Sequence, residues 1–270
     1  LANDMGVDLM HDELQKFGFG TLTGIDIHGE MRGLLPSTEW KRTAYKRPEQ
    51  QKWYAGETIS LGIGQGYNNF TMLQLALATS VIANDGVKMK PHLVKEVVDV
   101  VTRTSKETLK EIKAEAIAKP QNIAVIRNAL VGVNTEGTGA TAFRGAAYVA
   151  AGKTGTAQVV AIKQNEKYNA ARTAERLRDH ALYMAFAPAD NPKIALAMVV
   201  ENAGFGGANA APIARRVFDY WLLGQVPTPE DMAAVQKGQA GPPGSAPNPP
   251  AATASSAAAA AAASPASAAP

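Results

Sequence analysis

The chain has 270 residues, 46% hydrophobic and 19% charged, a globular balance with apolar side chains enough for one large domain or two small ones. Twenty-seven Lys and Arg against 24 Asp and Glu leave a net charge of +3, too weak and too scattered to argue for nucleic acid. Cysteine is absent, which excludes disulfides, a thiol nucleophile and Cys-based metal sites, and the four histidines (His11, His28, His92 and His180) show no metal-ligand spacing.

Residues 1–10 read as a helix with Met5, Leu9 and Met10 on one side. A chain that opens inside a helix, on Leu1 and not Met, is expected to be a piece of a longer protein. No signal peptide and no membrane-length apolar run follows. Residues 71–83 (TMLQLALATSVIA) form the strongest predicted helix: Thr71 can cap it, apolar residues recur at three- and four-residue spacing, and Asn84-Asp85-Gly86 ends it. It is apolar nearly all round, which predicts a place deep in the core. Residues 93–101 read as a strand, and Lys119-Pro120 interrupts the chain before a helix over 122–133. Two strand-like runs, 181–187 and 194–201, are joined by the turn-rich 188–192, which predicts an antiparallel hairpin. Residues 211–223 read as an amphipathic helix with Ile213, Val217, Tyr220 and Trp221 on its apolar face. The sum is an α+β domain, an antiparallel sheet covered by helices.

After Gly224 the composition collapses into Pro, Ala, Gly and Ser. Such a segment buries too little apolar surface to offset the entropy of ordering, so 225–270 is expected to be a disordered tail. Its run of seven alanines, 257–263, is too short to hold a helix alone. A spacer is the modest reading of its role.

The sharpest local feature is Ala151-Gly152-Lys153-Thr154-Gly155-Thr156-Ala157. A phosphate-binding loop needs GxxxxGK[ST] opening a helix. Here Gly145 and Gly152 are misplaced for it, and the residues after Lys153 favour a strand. K-T-G on a strand facing a cleft is instead a signature of serine transpeptidases and β-lactamases. Each residue type suits that chemistry. Lys153 places a cation where a substrate carboxylate and a serine proton are managed, and Thr154 supplies a hydroxyl for the carboxylate. Gly155 leaves the strand bare for a peptide, and the Thr156 N–H points at a developing oxyanion. A solvated Lys beside a glycine turn is the plain alternative.

The surroundings of that strand carry a resemblance. Gly62-Ile-Gly-Gln-Gly-Tyr67 with the helix after it, Leu35-Pro-Ser-Thr-Glu-Trp-Lys41, Trp53-Tyr-Ala-Gly-Glu-Thr-Ile-Ser60, the hairpin 180–201 and Ala211-Pro-Ile-Ala-Arg-Arg-Val-Phe-Asp-Tyr-Trp221 resemble, in order, the elongation-class (class B) peptidoglycan D,D-transpeptidases, the penicillin-binding protein 2 type. The likeness covers 1–223. It implies that 1–224 is the C-terminal part of a transpeptidase domain, a partial serine β-lactamase/transpeptidase-like fold. It also implies that the parent crosslinks stem peptides by serine acyl transfer from D-Ala-D-Ala and is acylated by β-lactams. Lys153 and Thr156 take catalytic roles, and Lys153, Thr154, Gly155 and Thr156 bind substrate. No metal or organic cofactor is implied. The expected partners are peptidoglycan stem peptides, β-lactams, a glycan polymerase of the shape, elongation, division and sporulation family and other elongation proteins. The expected location is the inner membrane, with an upstream anchor and this domain in the periplasm.

The family's nucleophile is the Ser of S-x-x-K, and its second motif is S-x-N or S-x-D. None of Ser37, Ser60, Ser80 and Ser105 fits: three residues on stand Trp40, Ile63, Ala83 and Thr108, and two residues on stand Glu39, Gly62, Ile82 and Glu107. The chain is therefore expected to begin after the second motif and to be inactive alone. A catalytically dead penicillin-binding-like scaffold or sensor is the competing reading. A serine β-lactamase is disfavoured because its water-activating elements are not recognisable. The charged stretch 163–179 reads as a solvated helix or mobile loop, with a place beside the substrate groove as the sharper alternative. Gly204-Phe-Gly-Gly207 resembles the family's glycine turn after the last strand, with backbone turning as its expected role.

Overall fold

The computed structural model describes residues 1–107, 114–160 and 173–237. The helices are α1 (Ala2–Met5), α2 (Val7–Lys16), α3 (Thr38–Ala44), α4 (Pro48–Gln51), α5 (Ala55–Gly62), α6 (Met72–Ala83), α7 (Pro120–Thr135), α8 (Ala140–Phe143), α9 (Gly206–Asn209), α10 (Ala211–Leu223) and α11 (Pro229–Gln236). The strands are β1 (Val87–Met89), β2 (Glu96–Val98), β3 (Ser105–Glu107), β4 (Ala114–Ala116), β5 (Ala151–Ala157), β6 (His180–Ala187) and β7 (Ile194–Val200).

The central sheet runs β5-β6-β7, antiparallel throughout, and β1-β4 and β2-β3 make two small two-stranded antiparallel sheets. Period-two alternation sorts β6 onto two cores. Ala181, Tyr183, Ala185 and Ala187 face a cluster with Phe143 of α8, Ala214 and Phe218 of α10 and Val235 of α11. Met184 and Phe186 face the opposite cluster, built on Ile82 of α6 and on Ile123 and Leu130 of α7. The sheet is thus sandwiched between helices, as the α+β expectation has it.

Helix α6 starts where its cap predicts: the Thr71 hydroxyl accepts from Gln74 N at 3.1 Å while Gln74 Oε1 accepts from Thr71 N at 3.0 Å, a reciprocal capping box. Gln74, Leu77, Ala78, Thr79, Val81 and Ile82 are buried, so the helix does lie in the core. Helix α7 opens with Pro120 in its first turn, where a missing N–H costs nothing.

Four expectations are corrected. The helix over 1–10 is two helices, because Gly6 adopts φ 77° and breaks the run. The strand over 93–101 shrinks to Glu96–Val98 in an exposed hairpin. Asp99 Oδ1 accepts from Val101 N and Thr102 N and turns the chain at once, and no described layer covers Val97 or Val98.

The third correction concerns α10. Its inner face carries Ala214, Arg215, Phe218 and Asp219, whereas Val217, Tyr220 and Trp221 are exposed, Trp221 by 63%. Arg215 and Asp219, one turn apart, neutralise each other at 2.9 Å, and Arg215 also donates to the carbonyls of Ala142 and Arg144. A paired charge can be buried where a lone charge cannot, so counting hydrophobic residues picks the wrong face.

The fourth concerns the tail. Residues 229–236 are helical, not disordered. Thr228 and Asp231 form a capping box, Arg216 donates to Asp231 O at 2.9 Å, and Val235 is fully buried against the α8–α10 core. The rest of the expected tail, 238–270, lies outside the described residues. Val235→Ala is expected to cost about 2 kcal/mol in a guanidinium unfolding curve. An unchanged midpoint would mean that α11 does not belong to the cooperative unit.

Candidate active site

The K-T-G-T sequence occupies β5, an edge strand that only β6 pairs among the described residues, with Lys153 opposite Met184, Thr154 opposite Tyr183, Gly155 opposite Leu182 and Thr156 opposite Ala181. Alternation divides its side chains. Ala151 is buried in the α6–α7 cluster, so Lys153, two residues on, projects on that side, while Thr154 and Thr156 project on the α8–α10 side. Lys153 is exposed, and its Nζ donates to Thr154 O at 2.8 Å.

The strand is anchored from below. Asn134, buried at the end of α7, donates from Nδ2 to Ala150 O at 3.0 Å, and its Oδ1 accepts from the Tyr183 hydroxyl at 2.7 Å. Burial pushes the Tyr183 hydroxyl well above its ordinary pKa, so it stays protonated and keeps donating. Gly152 lies directly over that phenol: a Cβ there would overlap the Tyr183 hydroxyl oxygen and stand 2.7 Å from Cζ.

Thr154 and Thr156 open onto a pocket of about 370 Å³. Thr138 and Thr141, from the α7–α8 connection and α8, line one side, Phe205, Gly206, Gly207 and Ala208 another, and Pro212 and Gln236 the end. The hydroxyl oxygens of Thr138 and Thr154 lie 2.7 Å apart. Phe205 is 74% exposed at the rim. The glycine stretch 204–207 does more than turn the chain. Gly206 is buried so closely on the sheet that a Cβ would overlap Leu182 O and stand 2.6 Å from Gly155 O.

All four residues expected from the sequence thus stand on one strand, but only Thr154 and Thr156 line the pocket, while Lys153 projects to the other side. The sequence expectation missed Thr138, Thr141, Phe205 and Gln236, which come from three separate stretches of the chain. The glycines flanking Phe205 were the one local signal. Of the charged stretch 163–179, residues 163–172 lie outside the described residues. Its remainder holds a 3-10 turn, Glu175–Leu177, tied through Glu175 O to the Asn202 amide at 2.8 Å.

Residues 1–219 match the penicillin-binding protein transpeptidase domain family. The chain belongs to that family. It is 44% identical over 233 residues to the peptidoglycan D,D-transpeptidase MrdA of Haemophilus influenzae, covering 85% of this chain and 35% of that protein. Among solved structures, Pseudomonas aeruginosa PBP2 in complex with WCK 5153 aligns with a TM-score of 0.66 and 38% identity, over 82% of this chain and 44% of that one. Helicobacter pylori PBP2 in complex with MreC aligns with a TM-score of 0.65 and 25% identity, over 83% and 37%. The chain thus spans about a third of the length of the MrdA transpeptidase it matches. The resemblance to the penicillin-binding protein 2 type, and the transpeptidase-like fold it implied, are both borne out.

Proposed function

We propose that this chain is the carboxyl-terminal part of a peptidoglycan D,D-transpeptidase of the elongation class, carrying the carboxylate-binding strand and half of the oxyanion hole. The observation that supports this best is the K-T-G-T run on the exposed edge strand β5, with Thr154 and Thr156 turned into a pocket. In this reading the nucleophile is the serine of an S-x-x-K motif preceding Leu1. Its Oγ attacks the carbonyl carbon of the penultimate D-Ala, the C–N bond breaks, and the terminal D-Ala leaves as the protonated amine. An amine of a neighbouring stem peptide then attacks the ester, forms the crosslinking amide and returns the serine. The terminal carboxylate sits against Lys153 and the Thr154 hydroxyl, and the Thr156 N–H binds the oxyanion. Phe205 walls the same groove. A β-lactam acylates the same serine.

The complete protein is then anchored in the inner membrane with this domain in the periplasm. No described helix is long and apolar enough to cross a membrane; the proposal puts the anchor in residues preceding Leu1. The MreC-bound relative supports elongation proteins as partners, with a glycan polymerase beside them.

Fluorescent penicillin tests the reading. The 270-residue chain is expected to take no covalent label, because none of its serines stands in S-x-x-K. The complete gene product, with the residues preceding Leu1, is expected to be labelled, and Lys153→Ala should abolish most of that labelling. A complete product that carries no such serine and takes no label would establish the dead scaffold instead.

A further inference from the structure

Thr138 lies outside the K-T-G-T run, yet its hydroxyl oxygen is 2.7 Å from that of Thr154. Its backbone is clamped. Gly139 N donates to Val133 O at 2.9 Å, Gly137 N donates to Gly132 O at 3.0 Å, and Gly207 presses so closely on Thr138 O that it has no room for a Cβ. Four residues earlier, Asn134 ties the same helix end to the start of β5 through Ala150 O. The hydroxyl pair is therefore set by the docking of α7 on β5.

A hydroxyl has one proton and can accept in addition. At this separation one of the two donates to the other. If Thr154 donates to Thr138, its proton is spent and it meets a ligand only as an acceptor. If Thr138 donates to Thr154, the Thr154 proton is free to point into the pocket. A carboxylate can only accept, so it selects the second arrangement, and the chain Thr138→Thr154→carboxylate polarises along its length. A ligand that needs an acceptor at the same place meets the competing arrangement.

We infer that Thr138 is a positioning residue that acts through Thr154, turning the Thr154 hydroxyl into a committed donor to the substrate's terminal carboxylate. This rests on the proposed role of Thr154 in binding that carboxylate.

The test uses the complete gene product and the second-order rate of acylation by a fluorescent penicillin, whose carboxylate stands in for that of the terminal D-Ala. Thr138→Ala is expected to lower the rate about tenfold, the scale of one hydrogen bond feeding a charged one, with the thermal midpoint little changed. Thr138→Ser, which differs from it by the hydroxyl alone, is expected to restore most of the rate. In a Thr154→Ala background, Thr138→Ala should cost nothing further. Wild-type rates in Thr138→Ala, an equal loss in Thr138→Ser, or a double variant that multiplies the two losses would each overturn the inference. If the wild-type product takes no label, the reading of the strand itself fails before any variant is compared.

Discussion

Replacing Asp219 by Ala is expected to cost about 3–5 kcal/mol of unfolding free energy, the largest loss of any single side-chain truncation proposed for this chain. Asp219 is fully buried on α10, and three side chains converge on it: Arg215 Nε at 2.9 and 3.0 Å, Arg216 Nη1 at 2.7 Å and the Tyr148 hydroxyl at 2.9 Å. Removing the carboxylate leaves the guanidinium of Arg215, itself fully buried, with only the carbonyls of Ala142 and Arg144. Arg216 keeps the Asp231 carbonyl at 2.9 Å and its carboxylate, more distant, at 3.5 Å. Arg215 Nη2 and Arg216 Nε already lack hydrogen-bond partners, so there is no spare acceptor to absorb the loss. Burial, the largest cause of the raised Tyr148 hydroxyl pKa, remains in the variant, so that donor stays protonated and keeps only the Arg215 carbonyl at 3.2 Å. Glu39→Ala is the control, since Glu39 meets Arg42 at 3.8 Å on the surface and its loss should barely register. Guanidinium unfolding of the two variants decides the matter: a similar shift for both would mean that the buried cluster contributes no more than an exposed pair.

That cluster also shows where sequence reasoning runs out. Elements whose signal is local were legible. Helix α6 carries its own cap in Thr71 and Gln74, α7 is opened by Pro120, and the β6–β7 hairpin is announced by two apolar runs around 188–192. The K-T-G-T strand was legible for the same reason. The inner face of α10 was not, because Arg215 and Asp219 look like surface charges until their partners in α8 and at Tyr148 are known, and those lie about seventy residues away in the chain. Thr138 and Gln236 share that difficulty. Nothing in Gly137-Thr138-Gly139 or in the first turns after Gly224 marks a residue that reaches the pocket beside β5. Their place is set by α7 docking through Asn134 and by Val235 filling the α8–α10 core. A pocket assembled from the ends of several elements leaves no periodic trace in any one of them.

Gly206 joins the fold to the proposed chemistry, and Gly206→Ala is the change expected to damage both. The atoms that its new methyl would meet are backbone: Leu182 O, which it would overlap, Gly155 O at 2.6 Å and Gly155 N at 3.1 Å. Gly155 and Leu182 face each other across the β5–β6 register, so neither can retreat without opening the ladder on which Thr154 and Thr156 sit. The 204–209 segment must lift instead. It carries Phe205 and Gly207 of the pocket and leads through Ala210, whose N–H donates to Gly206 O at 2.9 Å, into α10. Overpacking of this kind costs about 1–3 kcal/mol. Displacing a groove wall by about an ångström can lower a reaction rate by on the order of 100-fold. Gly204→Ala separates strain from contact. Its φ of 77° penalises any side chain, but no atom lies within 4 Å of the added carbon. It should therefore lose about 1 kcal/mol of stability and keep nearly all of the penicillin acylation rate of the complete gene product. If Gly206→Ala keeps that rate as well, the close seat of 206 on Gly155 does not shape the groove. If only Gly206→Ala loses it, the glycine turn holds β5 in place.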